Sequence, residues 1–493
     1  MCRCFLAALL LLPARHALAQ PPAPARLPLV RVVDLKVGET QQVRLCNGKS
    51  VTVKLMDLEE YLDPVRSAVR GAHVQVEVDG RAITLNTGNY HLPQPIAGAQ
   101  IDCPITKGYL SNSGTDAWGL VKDARLRLWP AGSPLQMPNT FVYPVKQRWF
   151  ASATQMANEP VFVDGGETPL VRRIYYHYGL DIGGAEGMAD VIAATDGLVV
   201  SAGTAILPGF EKSPVEHRYD VIYLLDDQGW YYRYSHLLTI EPAVKPGARV
   251  KMGQKIGVLG KEGGSGGWSH LHFDITSRQP SGKWGIQEGY AFLWEAYRQQ
   301  YRPTIQAVAR PHRLAWAGDT VSLDGSRSWT AGDRIVSYQW TFTDGSTASG
   351  AKPEKTYRKP GAYSELLKVV DDHGRSDYDF AVVQILDKKQ PTVLPPTIHA
   401  AYAPTFGIKP GTAVTFKVRT FRTTEGQETW DFGDGSPKVN VKSDGNVKPL
   451  AKDGYAITSH RYSKPGHYLV RVERSARGRG KAIAHLHVRV EEQ

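Results

Sequence analysis

The sequence predicts a mostly β protein built from an N-terminal β-rich domain, a central antiparallel β domain and two small C-terminal β-sandwiches. Three observations predict it. At 493 residues the chain is too long for one hydrophobic core, which stops growing at roughly 250–300 residues. Its 48 Gly and 32 Pro punctuate short runs rich in Val, Thr and Tyr, residues that suit a pleated, half-buried surface. Near the C-terminus one set of turn motifs occurs twice, which marks a repeated module.

The elements follow in order. Arg3, the apolar run Phe5 to Leu12 and Ala17-Leu18-Ala19 before Gln20 have the charged, apolar and small-residue parts of a secretory signal, so 1–19 is expected to be removed. The run is far short of the roughly 20 residues that span a bilayer. Residues 20–29, rich in Pro and Ala, read as a linker. Residues 30–140 form the N-terminal domain, from alternating runs such as Val51-Thr-Val-Lys-Leu55 and Val74-Gln-Val-Glu-Val78. Leu58 to Val69, with Leu and Val at helical spacing, is the one helix expected there. Cys46 and Cys103 alone remain after cleavage, and in an oxidising compartment they are expected to form a disulfide.

Residues 141–302 form the central domain. Val221-Ile-Tyr-Leu-Leu225 and Trp230-Tyr-Tyr-Arg-Tyr234 read as strands, and Gln287 to Tyr301 as a closing helix. Residues 303–388 and 397–493 are the repeat. Tyr338-Gln-Trp-Thr-Phe-Thr-Asp-Gly345 returns as Trp430-Asp-Phe-Gly-Asp-Gly435, and Tyr357-Arg-Lys-Pro-Gly-Ala-Tyr363 as Tyr462-Ser-Lys-Pro-Gly-His-Tyr468. The second copy carries about 15 extra residues between its motifs, near Lys438 to Asp453. Asp-Gly and Pro-Gly turns between alternating strands specify a small sandwich.

The formal net charge is +11. Loss of Arg3 and Arg15 takes Lys plus Arg from 59 to 57 against 48 acids, leaving +9. Such a charge either draws an exported protein to polyanions such as wall polymers and phospholipid surfaces or serves solubility with no specific partner. The basic residues are scattered among acids rather than gathered in a block, so no nucleic-acid partner is expected. No later stretch is apolar enough for a transmembrane segment. The mature chain is expected to be secreted, into a periplasm or the medium.

Three pieces carry chemistry: His177-Tyr-Gly-Leu-Asp181, the isolated His236, and His270-Leu-His272. Catalytic zinc is held by neutral imidazoles and a carboxylate, with one position left open. Strand alternation puts Trp268, His270, His272 and Asp274 on one face and Leu271, Phe273 and Ile275 on the other. His177 and Asp181 also share a face if extended. His485-Leu-His487, with no HxxxD near it, reads as a pair of solvated surface histidines, and His217, His312, His373, His399, His460 and His467 as surface residues without partners. Lys261-Glu-Gly-Gly-Ser-Gly-Gly267 lacks the GK[ST] of a phosphate loop and reads as a flexible groove wall or a plain loop.

HxxxD, the Tyr-x-His-Leu form around His236 and a Gly-rich loop leading into HLHF resemble the lysostaphin/LytM-type zinc metalloendopeptidases. The likeness runs from His177 to Ile275 and takes in Asp196-Gly-Leu-Val199, Tyr234-Ser-His-Leu237 and Val244-Lys-Pro-Gly247. The two repeats resemble polycystic-kidney-disease (PKD) domains, immunoglobulin-like spacer or attachment modules. The first has Leu323-Asp-Gly-Ser326 but Thr343 where the family usually has Gly, and the second keeps Phe432-Gly-Asp-Gly435.

The resemblance implies an open antiparallel β groove holding one zinc ion through His177, Asp181 and His272, with His236 and His270 unligated as the catalytic pair. It implies a secreted zinc metalloendopeptidase that hydrolyses peptide bonds of bacterial cell-wall peptidoglycan with zinc-activated water assisted by two histidines. A secreted protease of extracellular, Gly-rich proteins and a non-catalytic regulator of wall enzymes are the alternatives. Tyr234 and Asp274 are weaker candidates. Asp274 is either an acceptor for a ligand imidazole or an ordinary polar strand residue. Residues 30–140 read equally as an inhibitory prosegment, a targeting module or a spacer.

Overall fold

The structure, a computed structural model, describes residues 21–492 except 112, 115, 161–167 and 172. The expected signal segment lies outside the described residues. Strand dominates as expected, and the described helices are a single turn at Gly108–Ser111 and the helix Tyr290–Tyr301.

The N-terminal domain is two four-stranded antiparallel sheets. One runs Arg31–Leu35, Ala124–Pro130, Ala99–Thr106, Gln94–Ile96, and the other Thr40–Arg44, Ser50–Leu62, Val69–Val78, Arg81–Asn86. Alternate Val and Leu side chains of both close one core, including Val53, Leu55, Val74, Val76, Ile101 and Leu126. The helix expected from Leu58 to Val69 is absent. Leu58 to Leu62 continue a long strand whose ladder with Val69–Val78 satisfies their backbone groups. The strand then stops in a turn, where the Asp63 carboxylate accepts from Val65 N at 2.9 Å and Arg66 N at 2.6 Å. Local apolar spacing is overridden there by hairpin pairing with the next strand.

The expected disulfide is also absent. Cys46 and Cys103 are free thiols. Cys46 lies in the turn between Thr40–Arg44 and Ser50–Leu62, while Cys103 is in a strand of the other sheet and buried in the shared core. Burial pushes the Cys103 thiol well above its usual pKa, so it stays neutral and packs as a small apolar side chain.

The central domain has a nine-stranded antiparallel sheet. Its main path is Ala205–Ile206, Gly197–Ala202, Ile222–Leu225, Tyr231–Ser235, His270–Arg278, Leu180–Gly183, Thr154–Gln155. A three-stranded sheet of Asp190–Ile192, Lys255–Leu259 and Leu237–Ile240 lies against it. Leu271, Phe273 and Ile275 enter the core as alternation requires. The closing helix forms at Tyr290–Tyr301 and buries Phe292, Leu293 and Trp294. It ends at Arg302 in the left-handed region (φ 48°), one residue before Pro303, a common way to stop a helix.

Domain boundaries in sequence are not boundaries in packing. Val30, Tyr90 and Trp129 of the N-terminal domain belong to the central core. Arg127 is buried between Asp102 Oδ2 at 2.6 Å and Glu288 Oε2 at 3.4 Å, and Leu135 N and Gln136 N donate to the Glu295 carboxylate.

The two C-terminal sandwiches share one nine-stranded sheet, joined where Gly361–Asp371 runs parallel to Gly480–Val490 at Ala362 and Ala482. That junction overturns the surface reading of His485 and His487. His485 stacks on Phe380 with ring centroids 5.3 Å apart and bonds Ser364 Oγ at 3.0 Å. His487 is buried, with Nδ1 3.3 Å from Asp377 Oδ1. His312 and His399 are likewise buried. His460 is half-buried against Phe432 and bonded to Asp434 at 2.7 Å. His217, His373 and His467 are exposed as expected, although His373 Nδ1 has a partner in Asp372 at 3.1 Å and His467 Nδ1 one in His487 Nε2 at 2.9 Å.

Candidate metal centre

The strand pair Leu180–Gly183 and His270–Arg278 places Asp181 directly opposite His272. Tyr231–Ser235 pairs on the other side of His270–Arg278, with Ser235 opposite His272. His236 follows immediately, at φ 69°, a left-handed conformation that costs a non-glycine residue energy and needs support. The Asp220 carboxylate supplies that support by accepting His236 N at 2.9 Å.

His177 reaches the group differently from expectation. Residues 175–178 are not strand, and the chain turns at Gly179 (φ 80°) before Leu180–Gly183 begins. A Cβ on Gly179 would sit 2.7 Å from Phe273 O and 2.8 Å from Asp274 Cβ, so only glycine lets the chain cross this close to the neighbouring strand. The turn, rather than one extended face, brings His177 and Asp181 together.

His177, Asp181 and His272 form a buried group with one donor atom from each within 4.8 Å of the others. His177 Nε2 lies 3.1 Å from Asp181 Oδ2 and 3.2 Å from His272 Nδ1, and His272 Nδ1 lies 2.8 Å from Asp181 Oδ1. The outer nitrogens are engaged elsewhere. His177 Nδ1 donates to Met156 O at 3.2 Å, and His272 Nε2 donates to Asp274 Oδ2 at 3.1 Å. The inner nitrogens therefore turn lone pairs towards each other and towards a carboxylate. A proton or a shared metal cation relieves that crowding, and two imidazoles with one carboxylate suit a divalent metal such as zinc.

His236 and His270 stand beside this group with ring centroids 4.6 Å apart. His270 Nε2 is 3.5 Å from Asp181 Oδ1. In each ring Nδ1 donates to a carbonyl, Glu262 O at 2.7 Å for His236 and Trp268 O at 3.1 Å for His270. Both rings are thereby held as the tautomer with a basic Nε2. Burial lowers the pKa of both imidazoles, His270 strongly. Burial opposes ionisation of Asp181 too, but the surrounding His177 and His270 win and hold its carboxyl well below its usual range. His272 moves upward, since its bonds to Asp181 and Asp274 outweigh its burial.

All five sequence-predicted residues converge. Of the weaker candidates, Asp274 joins the group through His272, whereas the Tyr234 hydroxyl accepts from Ala194 N at 2.8 Å and serves the core. Asp220, Met156 O and Glu262 O escaped the sequence reading, because a single Asp or a backbone carbonyl has no pattern to find. The loop 261–267 is pinned rather than loose. Lys261 is buried in an ion pair with Glu186, and the Ser265 hydroxyl donates back to Lys261 O.

The profile of Peptidase family M23 matches residues 175–283, and two PKD-domain profiles match 300–385 and 399–490. Pre-pro-metalloprotease PrtV of Vibrio cholerae serotype O1 is 41% identical over 107 residues, covering 22% of this chain and 11% of that protein. Microbial collagenase of Vibrio alginolyticus is 30% identical over 91 residues, covering 17% and 11%. The chain thus spans about a tenth of the length of these curated relatives. Among solved structures, the PKD1 domain of Vibrio cholerae metalloprotease PrtV is 31% identical, covering 17% of this chain and 95% of that one at a TM-score of 0.14. Helicobacter pylori Csd3 is 17% identical, covering 53% and 82% at a TM-score of 0.19. Residues 175–283 thus belong to peptidase family M23, and two PKD domains follow them.

Proposed function

We propose that this chain is a secreted zinc metalloendopeptidase that hydrolyses peptide bonds of bacterial cell-wall peptidoglycan. The observation that carries the reading is the meeting of three lone-pair donors, His177 Nε2, Asp181 and His272 Nδ1, beside two imidazoles whose Nδ1–H bonds leave Nε2 as the basic nitrogen.

His177, Asp181 and His272 would hold the ion. A bound zinc supplies a water of lowered pKa and a polarised carbonyl. One of His236 and His270, both neutral through burial, takes a proton at Nε2 from the attacking water, and the imidazolium so formed donates to the oxyanion and then passes that proton to the leaving amine. Their Nδ1 bonds to Glu262 O and Trp268 O keep the rings in place as Nε2 gains and loses the proton. Asp274 fixes the His272 tautomer.

The formal charge of +9 after cleavage near Ala19 favours contact with anionic wall polymers. Mass spectrometry of a sacculus digest tests the reading. Muropeptides newly cut in their peptide portions are expected, and intact sacculi beside a degraded Gly-rich protein would overturn the substrate assignment. That second substrate class has one observation in its favour, the local similarity to proteins named collagenase and metalloprotease.

A further inference from the structure

Residue 268 makes the shortest contacts to the His270 ring. Trp268 stacks on it with ring centroids 3.9 Å apart and planes 20° from parallel, and the Trp268 carbonyl accepts its Nδ1–H at 3.1 Å. Asp181 and His236 flank the ring at longer range, so a shift of Trp268 would turn the imidazole.

The second PKD domain grips the chain on both sides of Trp268. Arg419 Nη1 donates to Gly267 O at 2.7 Å, Asn446 Nδ2 donates to Gly266 O at 3.0 Å, and Ser269 N donates to the Tyr455 hydroxyl at 2.7 Å. The Trp268 indole packs with Phe421 and meets His399 edge-on with centroids 5.3 Å apart. His399 is itself fixed by Tyr455 OH at 2.8 Å and Ser152 Oγ at 2.9 Å. The approach is close enough to require glycine. A Cβ on Gly267 (φ 92°) would lie 2.2 Å from Asn446 Oδ1.

One gripping residue belongs to the part of the second sandwich that the first lacks, and the other two adjoin it or are aimed by it. Asn446 lies in the extra stretch between the repeated motifs, and Tyr455 lies just after it. Arg419 is aimed by the same stretch, through Asp444 Oδ1 at 2.8 Å and the carbonyls of Lys448 at 2.9 Å and Pro449 at 2.7 Å. A module serving only as a spacer has no use for a buried arginine aimed at a backbone carbonyl of the neighbouring domain.

We propose that this insertion makes the second PKD domain a positioning element of the peptidase, with Arg419, Asn446 and Tyr455 setting the orientation of His270 through Trp268. The proposal rests on the catalytic part given to His270 above. No gripping residue touches the metal-holding group, so the domain acts on turnover and not on metal retention.

Tyr455→Phe in the full chain is the test, because it deletes a single oxygen and keeps the ring; Asn446→Ala is the second variant. Amide exchange of the 266–270 segment and solvent exchange of the His270 Nδ1–H, followed by ¹⁵N imidazole NMR, read the grip without any substrate. Both are expected to accelerate, while exchange in the strands 397–403 and 413–421 stays as in the parent and so reports that the domain is folded. With a cleavable peptide, kcat should fall about tenfold, with KM within about twofold and the zinc content unchanged. Unaltered exchange at 266–270 and at His270 in both variants would overturn the proposal, as would accelerated exchange with kcat intact. A parent protein that cleaves neither sacculi nor protein would sink the peptidase reading, and the two exchange measurements would then decide the positioning claim alone.

Discussion

Asp181 and His272 are cross-strand partners, facing each other in the antiparallel ladder with Oδ1 and Nδ1 2.8 Å apart. Directly opposed positions on one sheet face have Cβ atoms about 4.5–5.5 Å apart. The ladder itself thus presets two of the three metal-holding side chains, and only His177 depends on a turn.

Single substitutions should separate metal holding from proton transfer. His272→Ala is expected to lose both metal and turnover, whereas His270→Ala and His236→Ala keep the metal and lose about 10²–10⁴ in kcat. Zinc analysis beside kinetics checks this, and equal metal retention in His270→Ala and His272→Ala would show the roles to be misassigned.

Asp274→Asn should weaken metal binding about 10–100-fold without abolishing it, the usual effect of altering a carboxylate behind a ligand histidine. Competition with a chelator of known affinity measures it. Parent-like affinity would make Asp274 an ordinary strand residue.

Removing residues 20–140 should unfold the chain rather than activate it. The cut would strip Tyr90 and Trp129 from the central core and leave Glu288 and Glu295 without Arg127 and the backbone donors of Leu135 and Gln136. Breaking one buried ion pair by deleting a partner already costs about 3–5 kcal/mol. A soluble, folded fragment of raised activity would show the N-terminal domain to be an inhibitor instead.

Acid should destabilise the second PKD domain through His399. Burial lowers its pKa to about 3, while the unfolded chain has the ordinary value of about 6.5. Above 6.5 the imidazole is neutral in both states and contributes no pH dependence. Below it the unfolded state binds a proton that the folded state refuses, so stability falls as pH drops from about 6.5 towards 3. Thermal melts across that window should slope less steeply in His399→Gln than in the parent, and identical slopes would remove His399 as a cause.

Two reactive thiols per mature chain are expected on titration in denaturant, with no change in melting temperature on adding reductant, because Cys46 and Cys103 are unpaired. A reductant-sensitive melt would restore the disulfide.

His270 and His272 were legible because period-two alternation converts sequence offset directly into direction, whereas His177, Asp181 and His236 stood out through motifs that resemble a known family, and His177 reached the group by a turn rather than along an extended face. The repeated Trp, Asp-Gly and Pro-Gly motifs disclosed the sandwiches for the same local reason. Tertiary structure alone decided the rest. Leu58 to Leu62 became strand because Val69–Val78 pairs with them. Cys103 stayed free because it points into a core. His312, His399 and His487 were buried by neighbouring domains, and Asn446, among the extra residues after Lys438, came to rest on Gly266. Each depends on contacts that local spacing does not encode, from 7 positions apart for Leu62 and Val69 to 180 for Gly266 and Asn446, because which face or strand meets which partner is settled only when the chain has folded.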